Sequence, residues 1–348
     1  MHGFRFRVTG SPLAAVLLAA GLGCARAPAY PWRAPTKPLA WPLPPSAPRV
    51  RYEGTITAGQ ALHFARRSGF WLLDFIFGAP EIKLTSPHGL AADSETLAIT
   101  DSATAWVHLL QLTKHRYRVV RAAGKTPLRC PVGVATDRSG GVFVTDSALA
   151  RAFHFSGDGK LLGEVKETFV RPTGIAYDPE RQLLHIVDTG AHAVLTFQRS
   201  GESFALARRL GRRGDAAGDF NFPTHATLDK DGNLYVADSL NYRVKVFAPD
   251  GKLLDSFGQA GDGVGDFAKM KGVAVDSEGH IYAVDSYFDV VLVFQRTGRC
   301  LLVFGGSGRS EGTLWLPTGL CIDEKDRIYV ADSGNARIQV YQLLREGS

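Results

Sequence analysis

Short apolar runs separated by turn-forming residues recur along most of the chain. In one stretch the runs are Gly272-Val273-Ala274-Val275, His280 to Val284, Val290 to Phe294 and Cys300 to Phe304. Asp276-Ser277-Glu278-Gly279 and Gln295-Arg296-Thr297-Gly298 divide them with residues that accept tight turns. The pattern predicts four β-strands in succession. An Asp-Ser pair after the second strand marks each recurrence, at Asp101, Asp146, Asp188 (followed by Thr189), Asp238, Asp285 and Asp332. Spacings of 45, 42, 50, 47 and 47 residues between these aspartates are a structural period.

A lone four-stranded sheet cannot bury both faces, so the copies must stack. Six of them around an axis predict an all-β chain, a six-bladed β-propeller of four-stranded blades. The sixth copy stops after its third strand, Arg337 to Leu344, while Arg49 to Ile56 has the alternation of an outer strand. This N-terminal strand is expected to close the last blade. A Pro-x-Gly element opens the innermost strand at Pro87, Pro131, Pro172 and Pro317, where glycine permits close backbone approach near a crowded axis. Two copies depart from it, as Met270-Lys271-Gly272 and Pro223-Thr224-His225.

With these motifs the chain resembles the NHL-repeat six-bladed β-propellers, over about residues 49–348. The motif Asp-Ser-x-Asn-x-Arg is complete at Asp238 to Arg243 and at Asp332 to Arg337, and the Gly-rich connection Phe257 to Phe267 also fits the family. Its Asp and Gly residues suit a tight turn between blades, and the repeated Asp-Ser is read as hairpin capping, so neither is taken as a calcium site or a set of catalytic acids. Some propellers of this kind are enzymes, among them a peptide lyase that holds zinc with three histidines at Pro-x-Gly-like positions. Here only Pro87-His88-Gly89 matches, and Val132, Thr173, Thr224, Lys271 and Thr318 stand at the equivalent sites. Ligand count therefore argues against that zinc centre, and no cofactor is expected.

The N-terminal region reads differently. Arg5 and Arg7 precede an apolar core, Leu13 to Leu22, with the length of a signal peptide over residues 1–23. Gly21-Leu22-Gly23-Cys24 resembles the lipobox of bacterial lipoproteins, which implies lipidation at Cys24 and a place in the bacterial cell envelope, on the periplasmic or outer-membrane side. Eight prolines between Pro28 and Pro48 predict an extended tether over residues 24–48 without a core. Between the closing strand and blade one, residues 57–84 form an insert whose part from Gln60 to Gly78 is expected to be a short helix, packed on the propeller or docking a membrane or partner.

The net charge of +6 falls to about +4 once Arg5 and Arg7 leave with the signal, too mild to argue for nucleic acid. Cys130, Cys300 and Cys321 lack Cys-x-x-Cys spacing and are read as small apolar residues, with a Cys300–Cys321 disulfide as the alternative. Strand alternation places the Pro-x-Gly elements, Asp-Ser hairpins and interblade loops on one face. His88, His225, Lys271 and Arg243 are the candidate ligand-binding residues at that channel mouth. Two basic clusters, Arg118, Arg121, Lys125 and Arg129, then Arg208, Arg209, Arg212 and Arg213, are candidates for docking a protein or an anionic ligand. The leading expectation is an envelope binding or assembly module with a protein partner; the alternative is a lyase, lactonase or esterase with a small-molecule site at the mouth.

Overall fold

The computed structural model describes residues 30–65 and 83–345. The expected signal peptide, Cys24 and residues 66–82 of the insert lie outside them. Six antiparallel sheets surround an axis. Blade one, for example, comprises Pro87–Ala92, Thr96–Asp101, Trp106–Gln111 and Arg116–Val120, and the later blades repeat this order. Each innermost strand pairs on one side only, with its blade's second strand, and turns its other edge to the axis. We call the face holding the interblade connections and Asp-Ser hairpins the upper face, and the face of the first-to-second-strand turns the lower one.

Blade six closes as the sequence predicts. Strand β2 (Val50–Ile56) pairs antiparallel with Arg337–Leu343, setting Val50 against Leu343 and Ile56 against Ile338. Alternation buries Val50 and Tyr52 in the core shared with blade five, and a bulge between Tyr52 and Gly54 turns Ile56 into the core shared with blade one. A further strand, β1 (Ala40–Trp41), pairs with β2 and makes this sheet five-stranded. The tether expectation is thus corrected over residues 30–48: Trp32 packs edge-on against Tyr329, Trp41 against Phe304 and Tyr341, and Thr36 donates to Glu311. Proline spacing sets an extended backbone, but two tryptophans with a blade edge to cover turn it into a docked strap.

Helix α1 (Ala58–Ala65) follows β2. Thr57 and Gln60 cap it reciprocally: the Gln60 side chain accepts from the Thr57 N–H at 2.6 Å while the Thr57 hydroxyl oxygen accepts from the Gln60 N–H. Ala61 and Phe64 are buried, and Phe64 stacks on His115 at the outer strand of blade one.

The repeated aspartate is buried in every blade and ties two segments together. Asp285 accepts from the N–H groups of Ala268 and Lys269 in the incoming connection and from Tyr287 and Phe288 in its own hairpin. Asp101 and Asp146 do the same. Where the motif is complete, the side chains of Asn335 and Arg337 bond Asp332 and also the carbonyls of Gly308, Arg309 and Ser310. Asn241 and Arg243 bond Asp238 and the 211–222 connection alike. In these two blades the Asn and Arg clamp the long incoming connection, which folds back to bury Phe220 or Leu314 between blades. The Gly-rich connection buries Phe267 in the same manner.

Deleting residues 49–56 should lower the melting temperature of the whole body; an unchanged melt would refute closure by β2. Asp285→Ala, which orphans four backbone donors, should cost on the order of 3 kcal/mol in urea unfolding, with a loss under ~0.5 kcal/mol disproving the clip.

Candidate functional site

The innermost strands bound an axial channel. A cavity of about 600 Å³ occupies its lower part, from Gly89, Gly133, Gly174 and His225 down to the turns at Arg138, Arg181 and Glu324. Its middle wall is apolar, with Leu90, Ile175 and Leu320 among the lining residues. The sequence placed the small-molecule mouth on the upper face, whereas this cavity extends to the lower one. Cys321 lines it with a thiol whose pKa burial raises well above the usual value. Cys130, Cys300 and Cys321 are all free thiols.

The second residue of each Pro-x-Gly element lies one step above the cavity. Its carbonyl receives a hydroxyl from the preceding blade: Thr100 to Val132, Thr145 to Thr173, Thr173 to Thr224, Thr224 to Lys271 and Thr318 to His88. The glycine that follows makes room for this approach. A Cβ on Gly89 would stand 2.2 Å from the Val132 carbonyl oxygen, and one on Gly319 would stand 2.2 Å from that of His88.

His225 occupies the glycine position of blade four, and its ring extends toward blade six, where Nε2 lies 3.2 Å from where a Gly319 Cβ would be. It meets His88 of blade one with ring centroids 6.1 Å apart and planes 19° apart. The channel therefore brings these two blades face to face. Burial holds the pKa of His88 down to about 4, aided by the Lys271 charge. His225 is lowered to about 3, again chiefly by burial, then by His88 and Lys271. The Lys271 ammonium is itself lowered by burial and by Lys269 and Arg171. Both imidazoles are neutral at pH 7, and the buried Nδ1 of each lacks a hydrogen-bond partner. Among the described residues no group of three or more His, Cys, Asp or Glu side chains is set to hold a metal ion.

Arg243 is taken up by the Asp238 clip and the connection carbonyls, so it works as a clamp beside the mouth. The two basic clusters lie at different blade junctions. In the first, Arg118 stands on the outer strand, Arg121 covers Trp106 at 4.3 Å, and Lys125 and Arg129 are exposed in the connection. In the second, Arg208 donates to Pro249, Arg209 to Ala191 and Arg212 to Asp219, while Arg213 is exposed.

Two features escaped sequence reasoning. The upper face exposes apolar side chains among cations: Val170 beside Arg171, then Tyr287, and Trp315 and Leu316 with Arg309 stacked on the indole at 4.4 Å. The lower face carries a second aspartate ring, Asp93, Asp137, Asp178, Asp229, Asp276 and Asp323, one at the end of each first strand. Its signal was a recurring Asp before each first turn, visible in the repeat but masked by ordinary turn composition. Tyr235, Tyr282 and Tyr329 donate to three members of that ring.

A model of the NHL repeat matches residues 314–341, and one described as a 6-bladed beta-propeller matches residues 223–298. The human E3 ubiquitin-protein ligase NHLRC1 is 34% identical over 80 residues, which cover 23% of this chain and only 20% of the ligase. A structural genomics protein of unknown function from Bacteroides thetaiotaomicron superposes with TM-score 0.60 at 20% identity, over 76% of this chain and 71% of that one. Virginiamycin B lyase from Staphylococcus aureus, solved with quinupristin, gives 0.55 at 14% identity, over 76% and 83%. An auxiliary nutrient binding protein, also from Bacteroides thetaiotaomicron, gives 0.57 at 15%, over 74% and 69%. At these identities the solved structures share the fold alone.

The buried histidines set a pH dependence. His225 titrates near 6.5 when unfolded and near 3 when folded, so the unfolded chain takes up its proton first. Its contribution to stability is complete above pH 6.5, falls as the pH drops through that value and levels off below about 3. At pH 5 the loss from His225 alone is about 2 kcal/mol. Thermal melts should fall from pH 7 to 5, and His225→Gly should flatten that fall; parallel curves for the two proteins would contradict the burial.

Proposed function

We propose that this chain, an NHL-repeat six-bladed β-propeller, is a binding module that docks an acidic protein surface on its upper face. The observation that carries the reading is the set of exposed apolar side chains on the upper face and the cations around them. Interblade connections present Lys125, Arg129, Arg171, Arg213, Lys269 and Arg309 on the same face as exposed Val170, Tyr287, Trp315 and Leu316. Aromatic and arginine side chains around an apolar patch are the composition of an interface centre, and a surrounding field of one sign speeds encounter with a partner of the other. Rigid blades hold the loops in place, so affinity need not be spent on ordering them.

The setting we propose is the bacterial cell envelope. Its support is in the sequence: a signal-like segment over residues 1–23 and a lipobox-like Gly21-Leu22-Gly23-Cys24 that would anchor the chain through Cys24. Docking of residues 30–48 along blade six leaves six residues, 24–29, between a lipid on Cys24 and the docked strap, which would hold the body close to the lipid surface. An enzymatic reading has the channel cavity as its place. Among the described residues, however, the cavity's ionisable side chains are the His225 ceiling, the shielded Cys321 thiol and the lower-rim charges, so binding accounts for more of what is on the surface.

Charge reversal at Lys125, Arg129 and Arg213, none of which carries a clip, should leave the melting temperature unchanged. Cross-linking of the full-length chain in its native membranes should attach a partner through the upper face, and this variant should weaken that capture about tenfold or more. Equal capture by this triple variant, or cross-links confined to the lower face, would overturn the proposal.

A further inference from the structure

The channel throat differs chemically from both the rim above it and the apolar wall below. Two of its six blades depart from the Pro-x-Gly element, blade four with His225 in the glycine position and blade five with Met270 in the proline position, and the middle residues His88 of blade one and Lys271 of blade five add a nitrogen base and a cation. His225 is only 9% exposed and stands where the other five blades have glycine. Closing a channel with an imidazole whose Nδ1 finds no partner is costly unless something else supplies one. His88 Nδ1 is in the same condition. No carboxylate answers them: the charged groups acting on His88, His225 and Lys271 are one another, Lys269 and Arg171. The neighbouring hydroxyls of Thr173, Thr224 and Thr318 are already committed to carbonyls of adjacent blades.

We propose that this throat binds the carboxylate or phosphate group of a small organic anion, with the imidazoles of His88 and His225 and the ammonium of Lys271 as its donors. A bound metal cation would meet the Lys271 charge with no carboxylate among the described residues to offset it, whereas an oxyanion is drawn by that ammonium and accepts from imidazole N–H groups. The cavity of about 600 Å³ beneath His225 has room for the body of such a ligand, and its wall at Leu90, Ile175 and Leu320 favours an apolar one. An arriving negative charge stabilises the imidazolium forms and so draws a proton into the throat. Affinity then rises as the pH falls from 7 to 5, by about tenfold per pH unit for each proton taken up. This site is separate from the upper-face docking surface and does not require it.

Full-length chain should be titrated calorimetrically with butyrate and, separately, with inorganic phosphate, in two buffers of different ionisation enthalpy at pH 7 and pH 5. Histidine Cε1–H resonances should be followed in parallel. Saturable binding of either probe, with proton uptake and shifts of two histidine signals, is the expected result; a response to butyrate alone identifies a carboxylate ligand, and one to phosphate alone a phosphorylated one. His225→Gly, which restores the residue of the other five blades, and Lys271→Met should each weaken binding at least tenfold while the charge-reversed rim variant keeps it. Absence of binding by both probes at millimolar concentration would overturn the proposal, as would binding that survives both throat substitutions. Equal capture of the envelope partner by the rim variant, with the throat titration intact, would count against the docking surface alone.

Discussion

One hydrogen-bonded group, a carboxylate sealed at the start of each hairpin, sets the geometry of the whole ring. It is buried without a matching cation in most blades and is satisfied by backbone N–H groups from two segments that are otherwise only neighbours. An ionised acceptor of this kind makes stronger bonds than a neutral one, and burying it unsatisfied would be prohibitive. The incoming connection must therefore arrive at the same place in every blade. Once its arrival is fixed, the innermost strand starts at a fixed height, and the hydroxyl-to-carbonyl links between adjacent blades fall into register.

Much of this was legible because repetition amplifies weak local signals. No single Asp-Ser pair identifies a propeller, but six at a common spacing do, and the unfinished sixth copy pointed to its missing strand. The alternation of Arg49 to Ile56 was enough to place β2. The strap was not legible, since proline-rich sequence describes backbone stiffness and says nothing of where Trp32 and Trp41 will find a surface. Helix α1 begins at Thr57 because of a Thr-x-x-Gln box that was present in the sequence and overlooked among the aromatics that follow it.

The candidate site shows a sharper division. His225 stands out as a departure from the repeat, in its glycine position, and departures are where a chain spends residues on something other than its fold; His88 stands out as the one imidazole at the middle of a Pro-x-Gly element. Their meeting across the channel depends on which blades oppose one another, a property of six-fold closure that no local pattern encodes. Arg243 was misread for the opposite reason: it belongs to the repeat, and its guanidinium is consumed by the loop it clamps. The exposed apolar residues of the upper face, Val170, Tyr287 and Leu316, belong to different blades and lie far apart in sequence, and only the ring puts them on one face.

The pairing of Val50 with Leu343 has a consequence for how the molecule is made. Nearly the entire chain lies between the two halves of the last sheet, so the joining contact has the largest loop-closure entropy in the molecule and forms only after synthesis is almost complete. Until then β2 is an unpaired edge of alternating apolar residues, open to any other strand it meets. In the envelope setting proposed above, the last residues to cross the membrane would be the ones that lock the ring.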